Sequence, residues 1–281
     1  MKSLALLRLT FRESLLKGTL LFYFAVGTAI LLLFAIGIRA PADPNAGFRL
    51  FGLDIPDFAI GETVTPAVDF FLINVHNSAS SAIMLFGVFA TAGLIPSMLE
   101  KGTAELFLSK PLHRFQILLM RSVGAVAGIG ANILWFSGGV WLIFGLKVGV
   151  WHWGYLGSAV AMTYAFLSFF SIVALLGVVT RSAGFTVMFA FAFTFFSSAL
   201  ENRGLFLDPL WESPFYRAVL DGMYYLTPQL SGMMSHAALL IGSIPTPRGP
   251  EQFSLEPFAF SFASSFLLYA LSCWYFSRRD F

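Results

Sequence analysis

The sequence predicts an all-α integral membrane protein, and three observations carry that prediction. Hydrophobic residues make up 57% of the 281-residue chain and charged residues only 11%, where a soluble domain carries about 25%; the mean hydropathy is +0.78. Six uninterrupted apolar segments come close to the ~20 helical residues needed to cross ~30 Å of hydrocarbon. They are 18–38, 79–99, 123–146, 155–179, 183–200 and 257–276, and none contains an acidic or basic residue. No segment alternates with a strand period, and a helix satisfies its own backbone hydrogen bonds in lipid.

Each element follows in order. Residues 2–17 place Leu4, Leu7, Phe11 and Leu15 on one face and Arg8 and Arg12 off it. A basic amphipathic helix of this kind lies in the plane of the inner interface, with the two arginines as anchors to anionic headgroups. The first apolar run exceeds the core of a signal peptide, and Arg39 follows it in place of a small-residue cleavage site. Basic residues then set the orientation. With the N-terminus inside, 11 of the 17 Lys and Arg fall on the inner side, and 4 of the 15 acidic residues. The balance is +7 inside and −5 outside, which accounts for the chain's +2, so both termini are expected in the cytoplasm. The long outer segment 39–78 opens with Pro41, Pro44 and Pro56, which predicts irregular chain, and 67–75 predicts a helix leading into the second span. In the second outer segment, Ser213 and Pro214 start a helix that stops before Thr227-Pro228. A shorter helix over 229–241 follows. Thr180-Arg181-Ser182 reads as a tight inner turn.

The segment between spans two and three, 98–114, is the one charged insert on the inner side. Gly102 ends the extension of the second span, Thr103 caps a new helix with Glu105 in its first turn, and Pro111 terminates it after Lys110. Leu106-Phe107-Leu108 would face the membrane, while Glu100, Lys101, Glu105 and Lys110 face the cytoplasm. His113 and Arg114 then return the chain to the interface.

These residues resemble a segment of the permeases of type-2 ATP-binding-cassette (ABC) transporters. The resemblance is carried by Glu100-Lys101-Gly102-Thr103 and by Leu108-Ser109-Lys110-Pro111 up to Arg114, with Lys101 where family members often have Arg. The run Tyr224-Tyr225-Leu226-Thr227-Pro228 and the end Arg278-Arg279-Asp280 are also similar. What the resemblance implies is a six-span permease in the bacterial inner (plasma) membrane, paired with a second copy and with cytoplasmic ABC ATPase subunits. Glu100, Lys101, Gly102, Thr103, Glu105, Leu106, Lys110, Pro111, His113 and Arg114 would form the coupling helix that docks on the ATPase. Export is the direction implied. ATP and Mg would be bound by the partner, in keeping with the lack of a G-x-x-x-x-G-K-[ST] loop in this chain.

Other polar residues carry less. Arg121, near the start of span three, is expected to snorkel to the inner interface as an anchor. Asn132 is expected to hydrogen-bond between helices, and Gly124-x-x-x-Gly128 is a candidate close-approach motif for a dimer. His152, between Trp151 and Trp153, reads as part of an interfacial belt. Asp69, Asn74 and His76 do not have a metal-ligand spacing, and no metal or catalytic residue is expected. With Cys273 alone there is no intramolecular disulfide and no thiolate metal cluster, and the small net charge argues against nucleic acid. Two rival readings remain, a stand-alone transporter and a structural or assembly protein. Midplane acidic groups would favour the first, and the spans have none. Indifference to charge changes in the insert would favour the second.

Overall fold

The computed structural model describes residues 18–42, 46–60, 63–99, 114–206, 213–242 and 253–278. Six of its helices are long and apolar enough to cross a membrane. They are α1 (Thr19–Gly37), α2 (Ala67–Thr91), α3 (Arg114–Lys147), α4 (Trp153–Thr180), α5 (Ala183–Glu201) and, last in the chain, α9 (Glu256–Arg278). This is a multi-pass membrane protein by fold. The expected in-plane helix over 2–17 and the insert over 100–113 lie outside the described residues.

α4 is the central span. Its most apolar stretch is 67% buried, against 17% for α1 and for α9. Phe166, Phe169 and Phe170 of α4 meet Leu94, Ile95 and Leu118 in a continuous core. Lipid tails are as apolar as these side chains, so close van der Waals fit, not water exclusion, holds the spans together. Glycines give the close fit. Gly128 of α3 faces Leu20 of α1, Gly130 faces Thr163 of α4, and Gly177 of α4 faces Ile95 and Pro96. Gly128, part of the candidate close-approach motif, thus packs against a span of its own chain.

The helix expected over 67–75 leads directly into the second span, as one helix α2 from Ala67 to Thr91. Two corrections concern the end of that span and the segment before it. The span expected to run to 99 leaves the α-helix after Thr91. A turn and a short 3₁₀ segment, Pro96–Leu99, finish the crossing, since Pro96 cannot donate to an α-helical ladder. The region expected to be irregular is a small antiparallel sheet. Its strands β1 (Ile38–Arg39), β2 (Ala46–Leu50) and β3 (Leu53–Pro56) pair in the order β1-β2-β3. β4 (Phe58–Ile60) and β5 (Thr63–Thr65) form a separate hairpin. Leu50 pairs with Leu53 across Phe51-Gly52, where φ is 47° and 94°. Positive φ at both positions is the mirror-type turn that matches strand twist. Phe48 of β2 packs edge-on against Phe71 and Phe144, with centroids 5.3 and 5.5 Å away, and so seats the sheet on the ends of α2 and α3. Prolines and two-to-five-residue strands hid that pairing from local pattern.

Beyond α5 the chain makes α6 (Arg203–Phe206), α7 (Pro214–Leu226) and α8 (Leu230–Leu239). α7 has no buried residue. α8 instead dips into the bundle, burying Leu230, Gly232, Met233, Ala237 and Ala238. Its first turn is held by span side chains: the Gln229 N–H donates to Ser261 Oγ at 2.9 Å and the Ser231 N–H to Ser197 Oγ at 3.2 Å.

Candidate functional site

Two regions combine packing with chemistry: the base of the 100–113 segment, and a groove among α1, α2 and α3.

The base is built from both flanks of the segment. On one side Ile95, Met98 and Leu99 are buried, and on the other Ile117 and Leu118. Arg121 is also buried, 2% exposed, and its guanidinium donates to the Leu94 carbonyl at 3.2 Å. Beside it the Tyr269 hydroxyl of α9 donates to Ser122 Oγ at 2.7 Å. Arg121 thus lies inside the protein, where the sequence had suggested a headgroup anchor. It ties the turn after α2 to α3, because a carbonyl past a helix end lacks an intrahelical partner and is free to accept. Glu100 to His113 lie outside the described residues, as do Arg8, Arg12 and the Arg114 side chain; Arg114 itself opens α3.

The groove is a cavity of about 410 Å³. Val26 and Gly27 of α1, Ala79 and Ala82 of α2, and Ile129 and Phe136 of α3 form its walls. Small residues on two walls leave the space. Phe22 and Phe86 stand at a mouth that opens sideways, 62% and 47% exposed. Two polar side chains reach it, Tyr23 and Asn132. Asn132 Nδ2 donates to the Leu20 carbonyl at 3.4 Å, the interhelical bond expected of it.

Two further polar contacts, one between α2 and the loop before α4 and one among α5, α6 and α7, were not revealed by local sequence. His152 Nε2 lies 3.3 Å from Asp69 Oδ1. The aspartate accepts from the ring and its negative charge raises the imidazole pKa above the ordinary 6.5. Trp141 packs against both Trp151 and Trp153, at 4.6 and 5.0 Å, which secures the loop bearing His152. The second contact joins α5, α6 and α7. The Tyr224 hydroxyl donates to Glu201 Oε2 at 2.9 Å, and Arg203 donates to Asp221 Oδ1 at 2.8 Å while lying over the Tyr224 ring. Burial and the adjacent Glu201 carboxylate raise the phenol pKa. Each pair joins residues far apart or in different elements, so neither has a signature in a short window. Among the described residues no cluster of three or more metal-ligating side chains occurs.

No family model matches the chain, and no curated protein matches it either. The class that fold and site define is a multi-pass helical membrane protein.

Proposed function

We propose that this chain is the membrane subunit of an ATP-driven transporter, a type-2 ABC permease whose 98–114 segment receives the motion of a separate cytoplasmic ATPase. One observation carries the reading: the segment's two flanks are rooted in the packed core. A connector that only joined two spans could rise from frayed helix ends. Here Leu94, Ile95, Met98 and Leu99 are locked against α3 and α4, with Arg121 bonded across. Close-packed interiors transmit displacement without absorbing it, so force applied at the segment would move spans two, three and four together. The Glu-Lys-Gly-Thr resemblance and the positive-inside balance support the same placement, with both termini cytoplasmic and the protein in a bacterial inner membrane. In this reading the chain pairs with a second copy, and ATP and Mg are held by the partner.

The test is co-purification. The tagged chain is expressed with the products of neighbouring genes and extracted in mild detergent. A nucleotide-binding subunit should accompany it, and be lost on charge reversal at Glu100 and Glu105. A folded chain that retains function with both charges reversed sinks the proposal and favours a structural or assembly role.

A further inference from the structure

We infer that the groove among α1, α2 and α3 is a lipid site that holds one acyl chain of a bilayer phospholipid, admitted sideways between Phe22 and Phe86. The inference goes beyond the permease reading and does not depend on it.

Depth gives the chemistry of the occupant. All three walls lie within the spans, Thr19–Gly37, Ala67–Leu99 and Phe115–Lys147, and the mouth opens to the side of the bundle, so the surrounding medium is hydrocarbon. Tyr23 and Asn132 are the polar side chains of its lining, too few to fill a groove of this size with water, since each stable internal water needs two to four polar partners.

Dimension decides between the two apolar occupants a membrane offers. From Phe22 to Ile30 the α1 wall advances eight residues, ~12 Å at 1.5 Å per residue. That is less than half the ~30 Å of hydrocarbon that a span from a second copy would follow, so a partner helix would meet the groove over about two turns only. A flexible acyl chain from the surrounding hydrocarbon matches its short length and its apolar lining.

The groove is also shaped and not merely rough. Gly27 and the alanines Ala79 and Ala82 recess two walls, while Asn132 is restrained by its bond to Leu20. At the end near the start of α1, Tyr23 packs against Phe86 at 5.6 Å between centroids. A tyrosine one turn into a span sits where ester carbonyls begin, as aromatic side chains do at membrane interfaces. The chain would therefore enter with its ester end toward Tyr23 and its methyl end toward Ile30 and Phe136.

The experiment uses the full chain in vesicles of phosphatidylethanolamine and phosphatidylglycerol, doped with a phospholipid carrying a diazirine midway along one acyl chain. After illumination, adducts are mapped by mass spectrometry. The exposed face of α9, with Phe262 and Phe266, reports bulk lipid in the same sample. Adducts on residues 79–86 and 129–136 should exceed that baseline about tenfold, a preference of ~1.4 kcal/mol. Filling the groove with Ala82→Phe should return them to baseline. Gly27→Leu does the same from the opposite wall, where an added Cβ meets only Phe136 at 3.8 Å, so misfolding of one variant leaves the other to decide. Equal labelling of the groove and α9 in the unaltered chain would overturn the inference. So would a groove poor in adducts whose residue 82, as Ala82→Cys, cross-links to residue 82 of a second copy. No nucleotide or ATPase is needed, so the result stands whether or not a partner co-purifies.

Discussion

Arg121 lies two turns into α3, and its guanidinium donates to the carbonyl of Leu94, beyond the break that ends α2, at 3.2 Å. A cation 2% exposed near a helix end is tolerated because the carbonyls past α2 supply negative dipole ends that hydrogen-bond it. The bond spans the two flanks of the charged insert, so it acts as a brace across the base of that segment.

Replacing Arg121 should therefore loosen the base. Arg121→Ala leaves the Leu94 carbonyl with one donor fewer and removes a packed stem, which costs about 1.5–3 kcal/mol for a charged hydrogen bond. Arg121→Lys keeps the charge without the planar fork and should fall between. Thermal midpoints in detergent, followed by size-exclusion, rank the three proteins. Equal midpoints would show that the brace contributes nothing.

Stability should also vary with pH through His152 and Asp69. The aspartate raises the imidazole pKa above 6.5, so folding favours the protonated ring. The pair's contribution, about 1 kcal/mol for a partly exposed ion pair, is complete below pH ~6.5. It is lost as pH rises through the raised folded-state value. The unaltered protein should thus lose thermal stability on going from mildly acidic to mildly alkaline buffer, and Asp69→Asn should flatten that slope. A slope unchanged by Asp69→Asn would assign the dependence to another group.

Two glycines should respond oppositely to the same change. A Cβ on Gly154, at the start of α4, would collide with the Leu240 carbonyl, a backbone atom that cannot rotate away. Gly154→Ala should prise α8 from α4 at a cost of several kcal/mol, in the range of overpacked cores. Gly138 in α3 has nothing within 4 Å of an added Cβ, so Gly138→Ala should stabilise by up to about 1 kcal/mol through helix propensity. Paired unfolding in mixed micelles compares them directly.

The helix α7 buries none of its residues, so its position depends on tethers such as Tyr224 to Glu201 and Arg203 to Asp221. Tyr224→Phe removes one donor from a carboxylate and should cost about 1–2 kcal/mol. Amide exchange across α7 should then accelerate about 5–30-fold, with α4 amides unchanged. Unaltered α7 protection would show that Tyr224 is dispensable for its placement.

Much of this architecture was legible in the linear chain. The six spans are the longest apolar runs, and lipid forces each to close its own hydrogen bonds, so a local pattern specifies a local structure. The same holds for α7, where Ser213-Pro214 starts the helix and Thr227-Pro228 stops it. The interhelical role of Asn132 was legible too, since a polar side chain at depth has little else to bond. By contrast, the β1-β2-β3 sheet, the His152–Asp69 pair and the burial of Arg121 are matches between distant segments, to which periodicity is blind. The groove is further removed still. Gly27, Ala79 and Ala82 are unremarkable small residues until three helices converge, because a cavity belongs to the space between elements and not to any one of them. Composition and local periodicity determined what spans the membrane; only helix packing decided where those spans leave room for something else.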